Sequence, residues 1–139
     1  VTDAGNALVF SAEAVRPPGL AAAGMAGMNT ANSRAIFFSS GNKESLLLTA
    51  ANNSQALGAT DPGSCKLTPL SAFPSKGRGS MGVRCQRLLK GEDQLYFAGL
   101  VSAEPVVIDP TGQTLETPEV EPKRDASGST APGYIQGAC

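Results

Sequence analysis

Positive charges close together are the side chains that point to a function in this sequence. Five of the eleven Lys and Arg residues fall between positions 76 and 90: Lys76, Arg78, Arg84, Arg87 and Lys90. Ammonium and guanidinium groups pair with phosphate oxygens, and the guanidinium fork of Arg binds two of them at once. The spacing therefore predicts contacts with an anionic partner such as a nucleic-acid backbone.

The same cluster is also compatible with an ordinary solvated surface. Glu92 and Asp93 follow it directly, and the net charge of −1 lacks the basic excess expected of a nucleic-acid binder. The charge is uneven, however: residues 1–90 hold nine Lys and Arg against four Asp and Glu, whereas residues 91–139 hold two against eight. Such asymmetry is typical of a basic working surface beside an acidic segment. The acidic stretch from Glu116 to Glu121 is either a solvated linker or a tail that competes for the basic surface.

Catalytic, metal-dependent and cofactor-dependent functions find little support. Histidine is absent, so the commonest general base and metal ligand is missing. The three cysteines lack CxxC spacing, which argues against a zinc knuckle or a disulfide framework and favours reduced thiols. Gly77 to Gly82 forms a GxGxxG, but it lacks the strand–helix context of a dinucleotide site. We expect no cofactor, no metal and no catalytic residue.

The ends and the hydropathy of the chain give further expectations. The sequence contains no run of 18 apolar residues, so we expect no membrane span. It does not begin with a basic and then apolar segment, so we expect no signal peptide. With reduced cysteines, this predicts a cytoplasmic protein that does not contact membranes. The sequence starts with Val1-Thr2-Asp3 instead of Met, which resembles a strand entering a turn and predicts a piece of a longer polypeptide.

Short strands are the elements that must position the cations. Sixteen Gly and ten Pro residues leave few segments long enough to form a helix. The alanines at 21–23 lie between two glycines, so we expect a loop there. Short apolar runs bounded by turn formers predict strands at 7–10, 35–38, 45–49, 94–98 and 105–108. Because these runs are continuous and do not alternate, we expect strands covered on both faces.

A repeat organises these strands. Each copy opens with an Asp–Gly turn, continues with a strand centred near Leu8, Leu67 or Leu115, and then carries two glycines five positions apart. The turns are Asp3/Gly5, Asp61/Gly63 and Asp109/Gly112, and the glycine pairs are Gly19/Gly24, Gly77/Gly82 and Gly128/Gly133. A polar insertion at 52–58 lengthens the interval between the first and the second copy of the repeat. The alternative to a repeat architecture is a β-sandwich with ordinary turn glycines.

The second copy, residues 73–95, carries a resemblance to a known family. Its Gly77-Arg78 and Gly82-Val83, followed by Gly91-Glu92-Asp93 and an apolar strand, are similar to the blade signature of the C-terminal domains of bacterial gyrase and topoisomerase IV A subunits. The first copy keeps the element without most of its cations, retaining Arg16 at its start. The match covers about residues 1–115. Cys85 stands where the family usually has Gly, and the Gln-Arg-Gly-rich box of gyrase A subunits is absent.

The resemblance implies an all-β fold, a pinwheel-like β-propeller whose blades have four antiparallel strands. Residues 1–115 would form two to three blades, and residues 116–139 a degenerate last blade or an acidic tail. The chain would then be the C-terminal part of a larger propeller or a reduced one, with a dimer closing the ring as a further alternative.

The resemblance also implies a function, namely a non-catalytic domain that binds and bends duplex DNA on a basic rim to guide strand passage. Its partners would be the phosphate backbone of double-stranded DNA, the rest of an A subunit and the ATPase B subunit of an ATP-dependent type II topoisomerase at the bacterial nucleoid. The predicted DNA contacts are Arg16, Lys76, Arg78, Arg84, Arg87 and Lys90. Neither Tyr96 nor Tyr134 is a nucleophile candidate, and Tyr96 is expected to be a strand residue. The alternative is a propeller that binds a protein partner and no DNA.

Overall fold

The computed structural model describes residues 1–56 and 61–139, and regular structure in these residues consists of nine β-strands and two short 3₁₀ helices. The strands are β1 (Asn6–Ala7), β2 (Leu46–Asn52), β3 (Ser64–Pro69), β4 (Val83–Arg84), β5 (Gln94–Val101), β6 (Val107–Ile108), β7 (Thr114–Leu115), β8 (Ser129–Thr130) and β9 (Gly137–Ala138). The 3₁₀ helices span Ala12–Ala14 and Leu70–Ala72. The predicted all-β class is confirmed.

An antiparallel four-stranded sheet, ordered β5-β2-β3-β8, is the centre of the fold. Its register sets Leu48 opposite Leu67 and Ala50 opposite Cys65. Smaller sheets pair β1 with β4 and order β7-β6-β9. Strands from different copies of the repeat share these sheets, since β4 of the second copy pairs with β1 of the first and β8 of the third pairs with β3 of the second. The predicted number of blades stays a prediction.

Both faces of the four-stranded sheet are covered, as the continuous apolar runs predict. Alternate residues of β2 belong to separate clusters: Leu48 and Ala50 pack with Val107 and Ile135, whereas Leu47 and Ala51 pack toward Ala7, Phe73 and Cys85. The β7-β6-β9 sheet therefore lies against one face, and the β1–β4 pair lies against the other.

The predicted strands differ in how fully they form. The runs at 45–49 and 94–98 extend into β2 and β5, which are longer than predicted, whereas the run at 105–108 shrinks to β6. The run at 35–38 forms one isolated bridge from Ala35 to Thr2, so the prediction of a strand there is wrong. Phe38 at its end is 88% exposed, so the run lacks the cover that a buried strand needs. The predicted loop at 21–23 is confirmed, and part of the insertion at 52–58 lies outside the described residues.

The Asp–Gly turns form in all three copies, since Gly5, Gly63 and Gly112 have positive φ angles. Asp61 and Asp109 accept backbone N–H groups within their turns, which explains these carboxylates without catalysis.

Residues 116–139 pack against the rest of the fold. Strand β8 pairs with β3, β9 pairs with β6, and Ala131 and Ile135 are buried. The Glu121 amide donates to the carbonyl of Leu67, so the acidic stretch runs beside β3. Whether residues 116–139 form a degenerate last blade or an acidic tail stays a prediction, as does the boundary at residue 115. Over the described ranges, no helix is long and apolar enough to cross a membrane.

Candidate nucleic-acid interface

The basic segment, defined as residues 76–90, is laid along the first strand of the chain. The Lys76 amide donates to the Val9 carbonyl at 2.9 Å, Arg84 is in register with Asn6, and the Cys85 amide donates to Gly5 at 2.8 Å. This pairing buries Cys85 and leaves the side chain of Arg84 exposed. The backbone of the segment is thus fixed while its cations face outward.

All six predicted contact residues are exposed, and none of them forms an ion pair in the part of the chain that the structure describes. The ion pair found there joins Arg34 to Asp3, with the nitrogen and oxygen 3.5 Å apart. The charges of the basic segment are therefore available to an external anion.

The glycine loops of the first two copies meet at Arg78. Its guanidinium donates to the Ala26 carbonyl at 2.6 Å, and the Gly79 amide donates to Gly27 at 2.6 Å. Arg78 therefore has a structural contact as well as an exposed charge. Arg16 lies in the exposed segment after the first 3₁₀ helix, and no hydrogen bond in the described residues joins it to the basic segment.

Glu92 and Asp93, the two carboxylates that directly follow the basic segment in the sequence, accept hydrogen bonds from other groups. Glu92 accepts the Leu89 amide and the Ser64 hydroxyl, both at 2.7 Å, and so closes the turn that ends the basic segment. Asp93 accepts the amide and hydroxyl of Ser54, and the hydroxyl contact lowers the pKa of Asp93. Within residues 1–56 and 61–139, neither carboxylate forms an ion pair with a predicted contact residue.

Lys66 is a buried cation that the sequence does not reveal, and it lies directly behind the basic segment. It is 2% exposed, and its ammonium donates to the carbonyl of Cys85 at 2.7 Å and to the carbonyl of Arg124. The Arg124 guanidinium in turn donates to the carbonyl of Arg84 at 2.7 Å. Together these contacts form the lysine clamp, which ties β3 and residue 124 to the basic segment.

The only sequence signal for the clamp is the alternation within β3. Cys65 and Leu67 face one apolar cluster, so Lys66 must face the other side of the sheet. An alternating pattern normally indicates that this side is solvated. Here the opposite side is covered by β4 and residues 121–127, which no local pattern in the sequence predicts.

The clamp makes stability depend on pH. Burial lowers the pKa of Lys66 from 10.5 to about 8, with the Cys85 thiol, Glu121 and Asp125 acting in the opposite direction. The unfolded chain therefore binds more protons than the folded chain above pH 8, so this residue makes the protein more stable as pH rises. Burial also raises the pKa values of Cys65 and Cys85 from 9.0 to about 11, which lowers stability above pH 9.

We expect the difference in unfolding free energy between wild type and Lys66→Met to shift in favour of wild type from pH 8 to pH 9. The thiols are present in both proteins, and Met keeps an unbranched side chain, one atom shorter than that of Lys, while removing the titrating group. Urea unfolding at pH 7, 8 and 9 measures the difference. A difference that stays constant over the three values would contradict the assignment.

Tyr96 is a strand residue, as expected. It lies in β5, its hydroxyl donates to the Pro62 carbonyl at 3.0 Å and accepts the Ile135 amide, and its ring stacks on Tyr134 with centroids 4.5 Å apart. Burial raises the pKa of Tyr96 to about 12. Among the described residues, no three acidic or cysteine side chains gather as a metal site would require.

Comparison with known proteins places these features in context. A family model described as "DNA gyrase C-terminal domain, beta-propeller" matches residues 1–33 and 57–101. A solved structure of the C-terminal domain of DNA topoisomerase IV is similar in fold, with a TM-score of 0.69 and 20% sequence identity. The alignment covers all of this chain and 44% of that one, so the chain spans less than half of that structure. No match was found among curated proteins.

Proposed function

Because the chain belongs to the DNA gyrase C-terminal β-propeller family, as the second copy of its repeat predicted, we propose that it binds duplex DNA through the basic segment. The observation that carries this proposal is a run of exposed cations that form no ion pair with any described residue, on a backbone held by β1 and the lysine clamp. Such an array supplies affinity through counterion release and carries little sequence information.

In this proposal the domain is not itself catalytic. It bends DNA on its basic rim and guides strand passage for a type IIA topoisomerase, together with the rest of an A subunit and the ATPase B subunit at the bacterial nucleoid. Smooth bending of a 20–30 bp site costs on the order of 1–6 kcal/mol, so several cations must act together. Lys76, Arg78, Arg84, Arg87 and Lys90 are the proposed set, and Arg16 extends it on the first copy.

A salt titration tests the proposal. If about five phosphates are neutralised, the logarithm of affinity falls with the logarithm of salt with a slope of roughly −4.5. Fluorescence anisotropy with a labelled 30-bp duplex should then show a loss of several hundred-fold between 50 and 200 mM KCl. Two unrelated duplex sequences should bind alike. Absence of binding at 50 mM, or a slope near zero, would contradict DNA binding and favour the alternative of a protein-binding propeller.

A further inference from the structure

Residues 91–139 contain only two cations, and these two are adjacent: Lys123 and Arg124. Because the same residues hold eight Asp and Glu, the charge pattern of the sequence assigns this part of the chain to the acidic side. Neither cation belongs to the set that the sequence predicts for DNA contacts. The structure nevertheless places the segment that carries them directly beside the basic segment.

The third-copy segment, defined as residues 123–127, runs parallel to the basic segment in a constant register. Arg87 forms a parallel bridge with Ser127. Three positions earlier, the Arg124 guanidinium donates to the Arg84 carbonyl at 2.7 Å. Both contacts join residues that are 40 positions apart, so the two segments keep the same alignment along this length. Paired segments lie roughly 4.8 Å apart, which brings the cations of the third copy next to those of the second.

The guanidinium of Arg124 is fixed at the basic segment with most of its donors unused. It carries five N–H donors, and among the described residues the bond to Arg84 is the single hydrogen bond that it makes. The carbonyl of Arg124 accepts the ammonium of Lys66, so the lysine clamp holds the backbone of the same residue. A guanidinium held in this way loses little conformational freedom when it binds a phosphate.

Lys123 is exposed, and the acidic residues on either side of the pair leave its charge free. Glu121 accepts the amide of Lys123 at 2.8 Å, and Asp125 is exposed. In the two described ranges, neither carboxylate forms an ion pair with Lys123 or Arg124. Both cations are therefore available to an external anion, as those of the basic segment are.

We propose that Lys123 and Arg124 contact the phosphates of the duplex that the basic segment binds, so that the DNA crosses from the second copy of the repeat to the third. This inference rests on the proposed function and adds a second line of cations to it. Phosphate contacts fix the orientation of a protein on DNA, and contacts along two adjacent segments define that orientation better than contacts along one.

Lysine labelling in the presence of DNA tests the contact directly. The whole chain is treated with an acetylating reagent at 50 mM KCl, with and without a saturating 30-bp duplex, and the modified lysines are identified by mass spectrometry. We expect the labelling rate of Lys123 to fall severalfold when DNA is bound, because an ammonium paired with phosphate is shielded. Lys43, an exposed cation in the turn before β2, is the matched control and should react equally in both states.

Lys76 and Lys90 separate this inference from the proposed function, since both belong to the basic segment. If DNA protects these two lysines and leaves Lys123 as reactive as Lys43, the inference is wrong, while binding by the basic segment stands. If the duplex does not bind and no lysine is protected, the proposed function is wrong and this inference fails with it.

Neutralising both cations measures their share of the affinity. Lys123→Gln combined with Arg124→Gln should weaken duplex binding at least about tenfold at 100 mM KCl and reduce the magnitude of the slope of log affinity against log salt by about 2. A loss of affinity with an unchanged slope would indicate a purely structural role and would overturn the inference. So would equal losses from Lys123→Gln and Lys43→Gln. Circular dichroism of each variant confirms that the fold is intact.

Discussion

Replacing both Arg84 and Arg87 by glutamate is expected to weaken duplex DNA binding by about 100-fold or more at 100 mM KCl. Charge-assisted hydrogen bonds are worth about 1.5–3 kcal/mol each, and each reversal also adds repulsion toward phosphate. The slope of log affinity against log salt should fall in magnitude by about 2. Both side chains are exposed, so the unfolding free energy should change by less than about 0.5 kcal/mol.

These two residues give a cleaner test than Arg78, whose guanidinium also holds the Ala26 carbonyl. For a single charge reversal, Arg87→Glu is the test variant and Lys43→Glu is its matched control, because both change the net charge by the same amount. Lys43 is exposed in the turn before β2, at the end of the four-stranded sheet away from Asn52 and Asp93. Equal loss of binding in the two single variants would show that only overall charge matters and would exclude a specific role for the basic segment.

Gly82→Ala is expected to destabilise the fold by about 3 kcal/mol or more. Gly82 has a φ angle of +76°, which costs a residue with a Cβ about 1–2 kcal/mol. A Cβ there would also lie 2.3 Å from the Ala7 carbonyl oxygen, so β1 and β4 would have to move apart. Overpacking of this kind costs about 1–3 kcal/mol. The basic segment would then lose the backbone pairing with β1 that holds it in place.

Gly24→Ala provides the matched control, because Gly24 occupies the same position in the first copy of the repeat. Its φ angle of +92° imposes the same backbone strain, but a Cβ there would meet nothing within 4 Å. We expect a cost of about 1–2 kcal/mol, from strain alone. Chemical denaturation of the two variants measures the difference. If the two glycines proved equally tolerant, the close approach of β1 and β4 described above would be wrong.

Much of the fold follows from local sequence patterns. The Asp–Gly turns and the strands β2 and β5 are predictable because each depends on a short apolar run or on a turn residue that few others can replace. The run at 35–38 misleads for the opposite reason: its residues have strand propensity, but Phe38 stays 88% exposed among the residues that the structure describes. Local propensity describes what a segment can form, while tertiary cover decides whether it does.

The candidate site also contains residues that the sequence predicts and residues that it does not. The cations of the basic segment are visible in the sequence because they are close together and belong to a family signature. The lysine clamp is not visible, since Lys66, Cys85 and Arg124 are far apart in the chain and the clamp uses two main-chain carbonyls, which any residue supplies. The engagement of Glu92 by Ser64 is hidden for a similar reason, because the two side chains are 28 positions apart.

The lysine clamp also has a consequence for the order in which the chain acquires its structure. Its two ends, Lys66 and Arg124, are separated by 58 residues, and the sulfur of Cys85 reaches the Gly5 carbonyl across 80. Contacts between distant positions form late, because the loops between them must close first. During synthesis the cations at 84–87 therefore emerge well before residue 124, and their surface is completed only after residue 124 has followed.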